Sequence, residues 1–565
     1  MHEIELKFQV PAAQRAAVDR AVAGRTEPGR TAQRRVRLQA AYFDTAQRSL
    51  AKAKLALRVR REGRRRVQTL KGATADGMTR LEHNVALGQM SGLAAESPQA
   101  DPALHAGTPA GDRLFAALGL DAKGGAPHSA AGDERSGAKW AGAERAGAER
   151  AGDPLAVLYR TDILRRTRLQ RSAFGRVELA FDRGSITAGE ATLAVCELEI
   201  ELLAGSPLAV LDAARRWLPR FGLWLDSRSK SERGDMLARG ETVAPPHIAS
   251  AMVLTPKMSG AEALRCVLAS CADQVIGNAS QIASGEHTDE HVHQLRIGLR
   301  RLRTALQLFE GPAEPVPAGP ASLAAGAATL FRRLGAVRDQ VVVEAGFAAD
   351  LEAALQAAGV SGAGPRATVS NTEEAPDRVL REVASQGLLL DLLLATQVAD
   401  PVTPRTAPSE MPGEVPGEVP GEVPIDVSVE APIEIPDLRH RLAARLNRWH
   451  RRAAADAKRS RKLDDAGRHR LRKHVKRLRY ALEVAAALFP RRALRRYLAE
   501  LRAAQERLGA INDVVVAMEA FKRSRDTDPR AWFALGWLAA RRELLLTQAL
   551  PDLKKFAAAK RFWKH

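Results

Sequence analysis

The chain has 565 residues, more than one compact core usually holds, so two or three domains are expected. Lys and Arg number 86 against 66 Asp and Glu, a formal net charge of +20 that favours polyanionic partners, while 4% aromatics leave few platforms for base stacking. Three cysteines (Cys196, Cys266, Cys271) cannot form a disulfide framework or a structural zinc site, and no window holds 18 uncharged apolar residues, so a soluble, cytoplasmic protein with no membrane partner is expected.

The first 90 residues read mostly as strands. Ile4, Leu6 and Phe8 share one face of an extended segment while Glu3, Glu5 and Lys7 share the other. Leu55, Leu57 and Val59 alternate with Arg58 and Arg60, and Thr69-Leu70-Lys71 and Arg80-Leu81-Glu82 are further short strands. From about 121 to 153 the composition falls to Ala, Gly and charge, which cannot build a packed core and reads as a mobile insert. Strand patterning resumes with Val177, Leu179 and Phe181 and then Glu197-Leu198-Glu199-Ile200-Glu201-Leu202, so the insert interrupts one β-rich domain spanning 1–239.

Strands with apolar outer faces and mixed-charge inner faces suggest a closed barrel with a polar lumen, wrapped by helices. Crowded carboxylates repel one another unless a cation shares them, and hard oxygen donors suit Mg²⁺ or Mn²⁺. Rows of Arg and Lys are relieved by phosphate oxygens. Acid on one side and base on the other therefore points to a metal-bound polyphosphate.

Glu3-x-Glu5-x-Lys7, Tyr42-Phe43-Asp44-Thr45, Leu57-Arg58-Val59-Arg60, Thr69-Leu70-Lys71, Arg80-Leu81-Glu82, the 197–202 strand and Ser229-Lys230-Ser-Glu-Arg233 together resemble, in order, the CYTH family of triphosphate tunnel metalloenzymes. The resemblance implies an eight-stranded antiparallel tunnel that binds triphosphates with Mg²⁺ or Mn²⁺, most members hydrolysing them. It implies Glu3, Glu5 and Lys7 as catalytic residues and Glu3, Glu5, Glu197 and Glu199 as metal-side carboxylates, with Glu201 and Glu82 as additions. Lys7, Arg58, Arg60 and Lys71 become the triphosphate clamp, joined by Arg165 and Lys230, with the register at Arg165/Arg166 open by one residue. Glu201 is equally readable as the partner of a neighbouring base, Asp182 as the cap of a turn with Gly184, and Arg37 as a surface residue.

After Gly240 the period becomes helical. Leu295, Leu299, Leu302, Leu306 and Phe309 recur at helix spacing, and loops are expected at 311–320, 359–378 and 401–436, the last holding a Pro-Gly-Glu-Val repeat. His293 to Arg303 matches His469 to Arg479 at an offset of 176, and Leu334-Gly335 to Asp339 matches Leu508-Gly509 to Asp513 at 174, which indicates a duplicated helical unit. His293, Arg296, Arg300 and Arg303 form one helix stripe, as do His469, Arg472, Lys476 and Arg479. Residues 437–480 hold 17 Lys and Arg against 4 acids, so a polyanion is needed to relieve self-repulsion. For the two histidines, phosphate hydrogen bonding and helix packing are both open.

These segments resemble the CHAD domain, an all-α bundle with an internal repeat whose basic surface binds inorganic polyphosphate. The resemblance implies a CHAD domain over 240–565 and those eight stripe residues as its polyphosphate contacts. The whole chain is thus expected to be α+β, a β-tunnel with flanking helices followed by a helical bundle. CYTH followed by CHAD is similar to bacterial inorganic triphosphatases, which implies hydrolysis of inorganic triphosphate to pyrophosphate and phosphate, in the cytoplasm or at polyphosphate granules. Thiamine-triphosphate hydrolysis, an adenylate-cyclase reaction, and a non-catalytic polyphosphate- or nucleic-acid-binding role are the alternatives. Few aromatics and no nucleic-acid motif disfavour the last partner.

Overall fold

A computed structural model of the chain describes residues 2–24, 34–73, 79–89, 98–120, 154–250, 252–310, 320–360, 364–365, 374–397 and 438–563. The insert at 121–153, the loop at 311–319 and the Pro-Gly-Glu-Val tract lie outside these residues.

Nine strands form one antiparallel sheet. They are β1 (His2–Gln9), β2 (Arg34–Asp44), β3 (Leu55–Glu62), β4 (Arg65–Ala73), β5 (Thr79–Gln89), β6 (Ala156–Ser172), β7 (Gly175–Ala188), β8 (Ala191–Gly205) and the two-residue β9 (Trp224–Leu225). Their order is β5-β4-β3-β2-β6-β7-β8-β1-β9, and β1 also pairs with β5, so β1 to β8 close on themselves as the expected eight-stranded tunnel. The short β9 is the addition, lying beside β1 with Phe8 opposite Leu225. Closure leaves the strict alternation of β1 one reading: Leu6 and Phe8 are buried outside the barrel wall, and Glu5 and Lys7 line its interior.

Among the described residues, five helices accompany the barrel: α1 (Arg15–Ala23), α2 (Ser49–Lys52), α3 (Pro109–Leu118), α4 (Leu208–Phe221) and α5 (Lys230–Ala238). Asp44 ends β2 and accepts from the backbone N–H groups of Leu50 and Ala51, both at 2.9 Å, which orders the turn into α2. Ser229 and Glu232 form a capping box that starts α5 at Lys230. α5 packs against β6, β7 and β8, and it can do so because residue 234 is glycine. A Cβ there would sit 2.3 Å from the ring of Tyr159, which is buried and stacked on Tyr42 with centroids 4.7 Å apart.

The remaining helices are α6 (Gly260–Ala283), α7 (Asp289–Phe309), α8 (Pro320–Ala357), α9 (Pro376–Arg381), α10 (Val383–Gln397), α11 (Leu438–Lys458), α12 (Asp465–Val484), α13 (Arg491–Ser524) and α14 (Ala531–Ala558). The expected loops are shorter than their composition suggests. Pro320 already opens α8, and Pro376 opens α9 inside the 359–378 segment, because a proline in the first turn removes only an N–H that has no helical partner. The duplicated segments lie on α7 and α8 and again on α12 and α13, with α7 packed against α12.

One buried apolar cluster runs without interruption from Leu6 and Phe8 through Val210, Leu225, Leu268 and Leu389 to Phe556 and Trp563, so barrel exterior and helical half share a core. Near its far end His450 is buried among Tyr497, Phe556 and Trp563, with Nδ1 2.6 Å from the Tyr497 hydroxyl. Burial, reinforced by Arg561 and Lys458, lowers its pKa from the ordinary 6.5 to about 4.

Two predictions follow from these packings. Gly234→Ala should lower stability by about 1–3 kcal/mol, because the Tyr159 ring has no free volume to move into; calorimetric unfolding measures this, and an unchanged midpoint would contradict the close approach. His450 stays neutral when folded but gains a proton near pH 6.5 when unfolded, so its contribution is complete above that pH and is lost as pH falls towards 4, by an amount on the order of 2 kcal/mol. The fall in melting temperature between pH 7 and pH 4.5 should therefore be shallower for His450→Gln than for the native chain.

Candidate active site

The barrel encloses a cavity of about 870 Å³. Strand register decides which charges meet in it. Antiparallel pairing of β1 with β8 sets Glu5 opposite Glu201 and Lys7 opposite Glu199, pairing of β4 with β5 sets Lys71 opposite Glu82, and pairing of β6 with β7 sets Arg165 opposite Asp182. Glu3, Glu5, Lys7, Arg58, Arg60, Lys71, Arg165, Glu199, Glu201 and Lys230 all line the cavity. Glu197 does not: on the same face of β8 as Glu199 it is fully buried, where it binds Arg233 and Lys230 and accepts from Gln9 Nε2 at 3.2 Å.

One end is tightly compensated. Lys230 Nζ, delivered by the first residue of α5, lies 2.7 Å from Asp182 and 2.8 Å from Glu199, and also contacts Glu197. Arg165 grips Asp182 through two bonds of 2.7 Å and reaches Glu199. The register question resolves to Arg165, since Arg166 faces outward to Asp19 of α1 at 3.3 Å. Asp182 is part of this cluster and caps no turn, because β7 continues through Gly184 to Ala188. Oxygens of Asp182, Glu197 and Glu199 lie within 4.8 Å of one another, a spacing that could hold a divalent ion if the bases gave way. Burial raises the Glu199 carboxyl, but Lys230, Arg165 and Lys7 outweigh it and hold it well below the usual range.

Elsewhere the balance is poor. Lys71 Nζ bonds Glu3 at 2.5 Å and Glu82 at 3.1 Å, and Lys7 bonds Glu5 at 2.5 Å. Even so, burial, against the pull of Lys71 and with help from Glu5, pushes Glu3 up to about 8. Burial and Glu5 raise Glu201 to about 7. Across the lumen the excess is positive. The Nε atoms of Arg58 and Arg60 are buried with no hydrogen-bond partner, and burial together with Arg58 presses Arg60 down to about 10. Arg58 Nη1 donates to the Tyr42 hydroxyl at 3.1 Å.

The wall is not charged all round. Val36, Leu38 and Ala40 of β2 and Ile163 of β6 also face the cavity, an apolar side that the charge pattern did not reveal. Arg37, on the other face of β2, is exposed and bonds Asp162 at 2.8 Å, as expected for a surface residue.

In the helical half the residues of the two basic stripes are half-buried, except His469, which is exposed. Arg296 and Arg300 lie over the Phe331 ring at 4.6 and 4.9 Å, and Arg479 lies over Tyr480 at 4.4 Å. Arg296 Nη1 donates to the Leu334 carbonyl at 2.7 Å, and a Cβ on Gly335 would come within 2.8 Å of that nitrogen, whereas a Cβ on Gly509 in the second copy would meet nothing within 4 Å. His469, exposed at the start of the second stripe, has Nδ1 2.8 Å from Asn512 Oδ1 of α13. Burial and neighbouring arginines lower the pKa of Arg303 on α7 and of Arg477 on α12, the latter partly through Arg303 itself. The two copies thus bring like charge together. Among the described residues no helix is long and apolar enough to cross a membrane.

Comparison with known proteins matches residues 1–234 to the CYTH domain and residues 266–522 to the CHAD domain. Among solved structures, the chain is similar to the CHAD domain from the plant Ricinus communis, at 25% identity and TM-score 0.41 over 56% of this chain and 98% of that one. A putative adenylyl cyclase from Hippeastrum, described as having a dominant triphosphatase activity, matches at 16% identity and TM-score 0.26 over 43% and 97%. A putative adenylate cyclase from Bacillus halodurans matches at 14% identity and TM-score 0.25 over 41% and 96%. By the two family matches, the chain carries a CYTH domain over residues 1–234 followed by a CHAD domain over residues 266–522.

Proposed function

We propose that the tunnel hydrolyses a linear triphosphate, inorganic triphosphate foremost, and that the helical half binds inorganic polyphosphate. The observation that carries the first part is the pair of buried, unpartnered Nε atoms on Arg58 and Arg60, facing a wall of carboxylates across an enclosed cavity. Buried guanidinium groups whose Nε atoms lack acceptors, although Arg58 also donates to Tyr42 and Arg60 pairs with Glu62, call for phosphate oxygens.

The raised pKa values of Glu3 and Glu201 supply the test of fit for a metal. Buried carboxyls crowded around Glu5 are relieved by a shared divalent cation, and an all-oxygen donor set suits Mg²⁺ or Mn²⁺. Glu3, Glu5 and Glu201, with Glu199 beside them, would hold it. When bound, such an ion neutralises charge on phosphate oxygens. Arg58, Arg60 and Lys71 grip the chain of phosphoryl groups, and Arg165 and Lys230, fixed by Asp182 and Glu199, stabilise charge on the terminal one. Water oriented by the carboxylate wall attacks the terminal phosphorus in line. The new P–O bond forms as the bond to the bridging oxygen breaks, and the proton passes to a carboxylate of the same wall, leaving pyrophosphate and orthophosphate. Glu197 acts in this reading through Lys230 rather than on the ligand.

The apolar wall of Val36, Leu38 and Ile163 favours a second reading, an organic triphosphate whose ring rests there. Phosphate release from triphosphate, thiamine triphosphate and ATP, each with Mg²⁺ or Mn²⁺, separates the two.

Glu5→Ala should cut metal-dependent triphosphate hydrolysis by about 10³-fold, while Arg58→Ala should raise KM by roughly 10-fold with a further loss in kcat. Equal Mg²⁺-dependent rates for Glu5→Ala and the native chain would reject the assignment. For the helical half, the full chain should prefer long-chain polyphosphate over RNA at equal phosphate concentration, and Arg300→Ala with Lys476→Ala should flatten the salt dependence of binding. Preference for RNA would overturn the polyphosphate reading.

A further inference from the structure

The segment that carries Lys230 into the tunnel is held from outside the tunnel domain. Between β9 and α5 the chain runs through Asp226, Ser227, Arg228 and Ser229, and three buried polar side chains of the helical half fasten it. Gln386 of α10 accepts from Leu225 N at 2.7 Å, while its own amide donates to Leu380 O at 2.7 Å. Ser280 of α6 accepts from Ser227 N at 3.0 Å and from Ser227 Oγ at 3.2 Å, and donates to Leu225 O at 3.3 Å. Gln281 accepts from Arg228 Nη1 at 3.0 Å, and its amide donates to Glu286 O at 2.6 Å. Gln386, Ser280 and Gln281 are only 1%, 0% and 2% exposed.

Each amide is oriented by a second bond, and the Ser280 hydroxyl uses its one hydrogen and both acceptor positions. On the tunnel side the same segment is anchored to the charged strand. Asp226 N donates to Lys7 O at 2.9 Å, and the Asp226 carboxylate accepts from Arg228 Nε at 2.9 Å and from Gln9 Nε2 at 3.1 Å. The next residues are Ser229, the cap of α5, and Lys230, whose ammonium meets Asp182 and Glu199.

Docking two domains needs only apolar contact, which the shared core already supplies. Polar groups buried at such a junction cost free energy unless every one is matched, and here all three are matched to a six-residue stretch, Leu225 to Lys230, ending at a lumen base. We infer that Ser280, Gln281 and Gln386 are positioning residues for the tunnel: the helical domain sets where Lys230 stands, and with it the end of the cavity that takes the terminal phosphoryl group. The second clause rests on reading the lumen as a triphosphate site; the first does not.

The test uses the full chain with Ser280→Ala, Gln281→Leu and Lys230→Ala. Hydrogen exchange of amides 225–233, read against the amides of the other tunnel strands, reports placement, and calorimetric binding of inorganic triphosphate reports its effect on the ligand. Ser280→Ala and Gln281→Leu should speed exchange in that segment, leave the other tunnel strands unchanged and weaken triphosphate binding about three- to ten-fold. Unchanged exchange overturns the positioning role. So does faster exchange with native affinity, or exchange that rises equally across the tunnel strands, which would mark a docking contact alone. If Lys230→Ala binds triphosphate as the native chain does, the triphosphate reading fails instead, and exchange alone decides the placement.

Discussion

Charge compensation around the Lys230 ammonium is the constraint on which the tunnel rests. Asp182, Glu197 and Glu199 come from two adjacent strands, and Lys230, Arg165 and Arg233 from one strand and one helix, so three acids and three bases lock β6, β7, β8 and α5 together. Charges this deeply buried are tolerated only as a matched set, and deleting one leaves another exposed to the full cost of a dry interior. The same accounting shows where the protein is not self-sufficient. Around Arg58 and Arg60, and around Glu3, Glu5 and Glu201, the matching is incomplete: Lys71 reaches Glu3 and Lys7 reaches Glu5, but among the described residues the Nε atoms of Arg58 and Arg60 find no acceptor and Glu201 has no base of its own in contact, so a charged ligand between the walls would complete the set.

Much of this was legible before any coordinates. Period-two alternation placed Glu3, Glu5 and Lys7 on one face and Arg58 and Arg60 on another, because an extended backbone allows no other arrangement. Alternation names which residues share a face but not which face points inward. For β2 the apolar set Val36, Leu38 and Ala40 looks like a core face and in fact lines the lumen, while Arg37 turns to solvent. Lys230 has no periodic signature at all, since it stands at a helix start and only the resemblance at Ser229-Lys230 singled it out. Glu197 shares a strand face with Glu199 and Glu201, yet it is fully buried against Arg233 and Lys230 and does not line the cavity.

The helical repeat shows a similar split. Its offset identified both basic stripes, but not that Arg296, Arg300 and Arg479 rest on aromatic rings or that Gly335 makes room for Arg296. Those arrangements join residues far apart in sequence, and a one-dimensional pattern cannot carry them. The same holds for α6, where Ser280 and Gln281 stand among the equally buried Ser270, Gln274 and Asn278, and spacing alone does not say which of them meets the tunnel segment.

The uninterrupted apolar cluster gives the boundary near residue 240 a particular meaning. It marks a change in pattern along the chain but not a seam in the solvent-excluded interior, for α4 and β9 lie against α10 and α6 with Arg215 and Asp391 paired at the rim. A tunnel of this kind living alone would need a hydrophilic coat over those two elements. In this molecule the outer surface of one family has become the inner surface of the other, so neither half can be exchanged for a stand-alone relative without rewriting the side chains of both.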